Sequence, residues 1–413
     1  MQITETYTNL GTLINAGTVQ IDFETNFANS TIQNSGTLNL VGNVDFSETT
    51  YTNDDNNSDK IYITNYDEIN SAIFKTRENQ KAGEIYLKGN ITSVELNGNV
   101  SFKHLEIENQ SAVNTVTLSS SNGGNLQVGS LTNKETLICN TNVTIFGNLI
   151  NDYVIQIPQG ISLSANTYST SSPFATSDRK VILSEGGTLT IGNEESVTST
   201  IAKIEFEKTP ETDFATISTN GNLIISTTVY KINDESVDIK TSGNGTIKLP
   251  STESTTNEIG NLLIGSGNLT IEILHGANLT NEGTLSTKTS IQANNIENSG
   301  EITTPTVKTT AELSNAENAT ITATNGSVTV GANLTNAGEI TSDTVLATGD
   351  LSNNGNLNAT TSVEATNITN SGEITTPTVK ANAELSNAEN ATIIATNGSV
   401  TVGTNLTNAG TLS

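Results

Sequence analysis

One recurrence constrains this chain more than its length or its composition. The segment IENSGEITTPTVK at 296–308 returns as ITNSGEITTPTVK at 368–380, 72 positions later. A shorter phrase runs inside that copy: an apolar residue, a polar residue, Asn, then small residues with Gly or Glu. It starts at Leu279, Ile296, Leu313, Leu334, Leu351, Ile368, Leu385 and Leu406, in steps of 17, 17, 21, 17, 17, 17 and 21. Four short repeats therefore make one block of 72. A period of this size marks a solenoid, in which each repeat buries its apolar face only against its neighbours.

Within each repeat apolar and polar residues alternate, as in GEITTPTVK and GSVTVGANL. Strand side chains alternate between two faces, and Thr and Val suit strands. Asn, Gly and Pro interrupt the pattern too often for helices. Each repeat reads as two or three short strands joined by tight turns, one coil of an all-β, parallel β-helix (β-solenoid). Stacking at roughly 4.8 Å predicts ladders of equivalent side chains. One ladder is the eight apolar residues that open the phrase. A second is Leu285, Ile302, Ile340, Leu357, Ile374 and Leu412; a third is Val307, Val328, Val345, Val363, Val379 and Val400. Each buried aliphatic stabilises by roughly 1.5–3 kcal/mol. That is opposed by the entropy of ordering its coil, so a coil needs its stack.

The asparagines of the phrase, Asn281, Asn298, Asn315, Asn336, Asn353, Asn370, Asn387 and Asn408, are expected to be a structural ladder. The pattern places them at a turn, where Asn tolerates left-handed backbone. Their amides would hydrogen-bond from coil to coil, as in cross-β stacks. Gly283, Gly300, Gly338, Gly355, Gly372 and Gly410 follow two residues later, where the chain is expected to turn again.

The composition agrees with a thin core: 33% hydrophobic residues, 4% aromatic and no Trp. With 17 basic against 43 acidic residues the net charge is −26. Such a surface repels nucleic acids and anionic membranes. The single cysteine, Cys139, excludes an intrachain disulfide, and its setting in TLICNTNVTIF reads as a buried core thiol. Residues 1–17 lack the basic and apolar regions of a signal peptide, and no apolar run is long enough to span a membrane.

The phrase also occurs from Leu13 and Ile32, 19 apart, and from Leu131 and Leu149, 18 apart, with irregular spacing between. All nine Phe and all eight Tyr precede residue 231. Residues 1–250 read as an irregular solenoid with loop insertions, the first being TYTNDDNNSDKIY at 50–62, and residues 251–413 as regular repeats. Coils averaging about 19 residues would number about 21 over the chain, a rod of roughly 100 Å. The sequence ends at LTNAGTLS, just after the phrase begins again. Leu406 and Leu412 would then form an assembly end, continued by further chain or by another molecule.

Few constellations suggest chemistry. Asp55, Asn57 and Asp59 in DDNNSD have the alternating oxygen ligands that calcium favours. Lys60 and Tyr66 stand where a calcium loop would carry its glycine and its final glutamate, so a solvated loop is expected. Loosely held calcium is the only cofactor suggested. His104 and His275, the only histidines, are each alone in sequence. No Ser/His/Asp order or phosphate loop stands out. Glycan-cleaving β-helices combine clustered carboxylates with basic residues, whereas Asp343 and Asp350 are the only aspartates in 279–413. The chain is expected not to be an enzyme.

LTNAGTL near the end and NSGTLNL near the start resemble the passenger repeats of bacterial surface β-helix proteins, the autotransporter adhesins and filamentous-haemagglutinin-like proteins. The resemblance covers 259–413 and 1–50. It implies secretion, a position on the bacterial cell surface, and adhesion to host or neighbouring cells, glycan or matrix; it carries over no catalytic residue. The expected function is an extracellular structural or adhesive rod, with residues 50–230 making contact and 259–413 acting as spacer. The alternative is a self-assembling subunit of an extracellular fibre, sheath or surface layer. A third reading is a glycan-binding or glycan-degrading β-helix. Neither nucleic acid nor direct membrane insertion is expected.

Overall fold

A computed structural model of the chain describes all residues except 1, 4–6, 9–10, 22–24, 28–29, 35–36, 42–43, 47–49, 54–59, 66–70, 75–81, 90–91, 97–98, 109–114, 121–122, 172–178, 193–197, 209–213, 227, 230, 233–234, 250–258 and 266. The protein is all-β, a parallel β-solenoid of about 15 turns stacked about 19 residues apart. No helix occurs among the described residues. Ile85 pairs with Ile61, and Ile217 with Leu189.

The chain forms two compact units, Met1–Ser226 and Thr227–Ser413. In the first, the copies of the phrase lie on one another. Leu13 pairs with Ile32 and Asn15 with Asn34, while Leu131 pairs with Leu149 and Asn133 with Asn151. Phe27, Phe102 and Phe206 are fully buried here, and the coils that hold them are irregular. Large rings need more room than the uniform aliphatic layer of the second unit provides.

From Leu279 to Ala381 each coil turns six residues inward as three alternating pairs. Leu351–Asn353, Leu357–Ala359 and Val363–Ala365 show one full set, every member buried. The first expected ladder is continuous, Leu279 to Ile296 to Leu313 and onward to Leu406. Ile321 and Ile393 complete the second ladder, each pairing with isoleucine in the coil before it. The third runs from Val307 through Val328 to Val400.

The two longer coils keep this register by bulging twice. From Asn315 to Ile321 the coil has two residues more than its neighbour, and from Ala323 to Val328 two more again. Asn318 (φ 66°) and Asn325 (φ 55°) sit in these bulges, and Asn390 (φ 68°) and Asn397 (φ 54°) repeat them one block later. Among the described residues these four are the only non-glycine residues with positive φ.

That finding corrects the expected place of the ladder asparagines. Asn281 through Asn387 lie within strands and point into the core, each 2% exposed or less; the left-handed positions belong to other asparagines. The glycines two residues on answer a steric demand instead. A Cβ on Gly355 would lie 2.0 Å from the Gly338 carbonyl oxygen of the coil before it. Coil-to-coil contact there is backbone on backbone, and none of the six glycines has positive φ.

Candidate functional site

The buried asparagine ladder is joined amide to amide. Asn353 Nδ2 donates to Asn370 Oδ1 at 2.8 Å, to the Gly355 carbonyl at 3.0 Å and to the Glu373 carbonyl at 3.0 Å. The Asn–Asn bond recurs at 2.7–2.9 Å at every step from Asn281 to Asn408. Each amide also binds carbonyls of the turns beside it, so it replaces water for backbone groups that the core would strand. The ladder begins at Asn281 because Ile264 occupies the matching place in the coil before. Asn281 Oδ1 consequently has no hydrogen-bond partner although it is buried. The first unit carries a short version: Asn133 donates to Asn151 at 2.9 Å, and Asn151 to the Tyr168 hydroxyl at 3.1 Å. Burial pushes that hydroxyl up to about 12.

The outer face of the same strands carries a second column that the sequence reading missed. Strand alternation turns the residue before each ladder Leu or Ile outward. Asn295 Nδ2 donates to Asn278 Oδ1 at 2.9 Å, Asn333 to Glu312 at 3.3 Å, Asn367 to Asp350 at 2.8 Å and Asn405 to Glu384 at 2.9 Å. Carboxylates thus alternate with amides up the stack. Like charges directly opposite one another destabilise a sheet, and this acidic unit avoids them by placing a donor after each acid. Lys380 and Asn382 do the same for Glu364, at 2.7 and 3.2 Å, and hold its carboxyl below the ordinary range. Aligning the coils and reading one position upstream of the ladder would have found the column.

A second outward column lies two residues on: Thr280, Glu297, Ser314 and Thr335. Between the two columns, across four successive coils, runs a groove of about 560 Å³. Amides, hydroxyls and the carboxylates of Glu297 and Glu312 line it over the strand backbone at Leu279, Ile296 and Leu313, whose side chains face the core; no aromatic or basic residue is among the described lining residues. It can exchange hydrogen bonds with a polar ligand and repels anions.

The first unit presents a different surface. His104 Nδ1 lies 2.7 Å from Ser130 Oγ, its ring centroid lies 5.6 Å from that of Tyr86, and the Tyr86 hydroxyl donates to Glu84 at 2.8 Å. Lys134 bridges Glu106 at 3.1 Å and Glu108 at 3.2 Å. Partial burial pulls the Lys134 ammonium pKa down, but its bonds to the two carboxylates outweigh this and raise it. His104 is therefore part of a network of charged and aromatic residues drawn from three coils.

The expected calcium ligands Asp55, Asn57 and Asp59 lie outside the described residues. His275 lies in the strand Asn268–Asn281, and its side chain is outside the description. Cys139 is fully buried, and desolvation pushes its thiol up to about 12. Leu406, of the expected assembly end, is 50% exposed, and Leu412 is partly exposed. No protein-family model, curated protein or solved structure matches the chain.

Proposed function

We propose that the protein is a non-enzymatic structural solenoid of a bacterial cell surface, an extracellular stalk or adhesin segment. In this reading residues 227–413 set a distance and the first unit makes the contact. The observation that carries the reading is the repetition of one inward set, an aliphatic with Asn and two aliphatics each with a small residue, whose members pair with their equivalents in successive coils across the local bulges between them. Such a stack gains length by adding coils without redesigning its core. Tyr86, partly exposed beside His104, supports a contact role for the first unit, because tyrosine is enriched at recognition surfaces, with polar residues such as Glu106 and Lys134 suited to the rim. The likeness of LTNAGTL to surface β-helix repeats supports the location.

Deleting 334–405 tests this reading, since it joins Asn333 to Leu406 and keeps the phrase in phase. Electron microscopy of negatively stained particles should show a stack shorter by about 19 Å, four coils at the strand spacing, with attachment to the target surface retained. A particle of unchanged length, or loss of attachment, would overturn the spacer role.

A further inference from the structure

The groove over residues 278–335 has a feature that a plain spacer does not need. Its polar groups repeat at the same height in each of four coils, so a ligand lying along it meets a new set about every 4.8 Å. An extended peptide advances about 3.3 Å per residue and does not keep step with the coils, and a nucleic-acid strand brings phosphates that the carboxylates of Glu297 and Glu312 repel. An extended glycan keeps step, because one pyranose ring advances by a length close to the coil spacing. The chemistry fits the same polymer. Asn278, Asn295 and Asn333 each commit one N–H to the column, which leaves the second N–H of each amide to point at a ligand. The Glu312 carboxylate takes one hydrogen bond, from Asn333 Nδ2 at 3.3 Å, so the carboxylates of Glu297 and Glu312 have lone pairs for the hydroxyls of a ligand, and with no cation among the described lining residues an anionic chain is repelled.

We propose that this groove binds an extended glycan without anionic groups, its axis along the stack, about one sugar per coil. With no aromatic ring among the described lining residues to stack on a sugar, each level contributes weakly and the signature is dependence on chain length. The proposal does not rest on the stalk reading, which depends on particle length and attachment.

The test is calorimetric titration of the full chain with β-1,4-linked oligomers of glucose and of glucosamine, from two to six units, with oligogalacturonate as the anionic counterpart. Affinity should rise about threefold with each added sugar up to four and then level off. Tighter binding of the glucosamine series at low salt would assign Glu297 and Glu312 to amines, and equal binding would assign them to hydroxyls. The double variant Asn295→Ala/Glu312→Ala should weaken the four-sugar ligand at least about tenfold. Asp350→Ala/Ser352→Ala, beyond the groove, should leave it unchanged, with urea unfolding confirming both folds. No saturable binding of either series, binding that ignores chain length, or equal affinity in the groove variant would overturn the proposal.

Discussion

At the scale of single residues, the ladder asparagine does what an aliphatic in its place could not. Asn353 Nδ2 has two hydrogens for three acceptors, two of them backbone carbonyls. Asn353→Ala would strand those carbonyls and break the ladder on both sides. Each orphaned buried group costs about 1–3 kcal/mol, so a loss of about 3 kcal/mol or more is expected in urea unfolding of the second unit. Asn281→Ala should cost less, because Asn281 Oδ1 already lacks a donor and only one ladder bond breaks. Equal losses at the two positions would show that the amide chain is not what stabilises the coil.

At the scale of the coil, register outranks length. The longer coil gains its first extra pair at Glu317–Asn318, and Ala319 N donates to the Ala316 carbonyl at 3.2 Å to close that bulge. Removing Glu317 and Asn318 together with Ala319→Gly yields NAGTI, nearly the NAGEI that begins at Asn336 in a shorter coil. The melting temperature should move by no more than about 3 °C, the size of a small surface change. Removing Asn318 alone should lower it further, because a one-residue shift turns each following side chain to the wrong face. In the first unit, neighbouring coils are joined by charge. Glu205 lies 2.6 Å from Lys180 and 2.5 Å from Lys203. Burial alone would raise its pKa, but the two lysines outweigh it and hold it below the ordinary range. A carboxylate depressed in the folded state contributes stability above its unfolded pKa of about 4.3 and loses it as pH falls through the folded value. Glu205→Gln should therefore flatten the acid limb of the stability profile below about pH 4.3, and a profile like the parent's would refute that role.

At the scale of the whole molecule, the charge of −26 sets the response to salt. Alternation keeps acids apart within a column, yet carboxylates two coils away remain roughly 9.6 Å distant, about one Debye length at 0.1 M salt. Raising NaCl from about 10 to about 150 mM should increase the melting temperature by about 2–5 °C. Exposed pairs such as Lys380–Glu364, which salt weakens, contribute little. A falling melting temperature would mean that ion pairs, not repulsion, dominate the surface.

The sequence alone determined the fold class, the coil period and the three aliphatic ladders, because stacking maps a linear period directly onto contacts between neighbouring coils. It placed Leu13 on Ile32 and Leu131 on Leu149 for the same reason. Tertiary structure alone decided which way the asparagines face. The same tripeptide permits a turn or a strand, and only the backbone path shows that Asn353 points inward while Asn318 takes the left-handed bend. It also decided that Gly355 is there for close approach and that Ile321 and Ile393 fill the second ladder, since two-residue bulges shift positions that a fixed period cannot follow. The groove and the gathering of Tyr86, His104, Ser130 and Lys134 were out of reach for a related reason. Outward residues carry no hydrophobic period, and only stacking in register turns residues tens of positions apart into one surface.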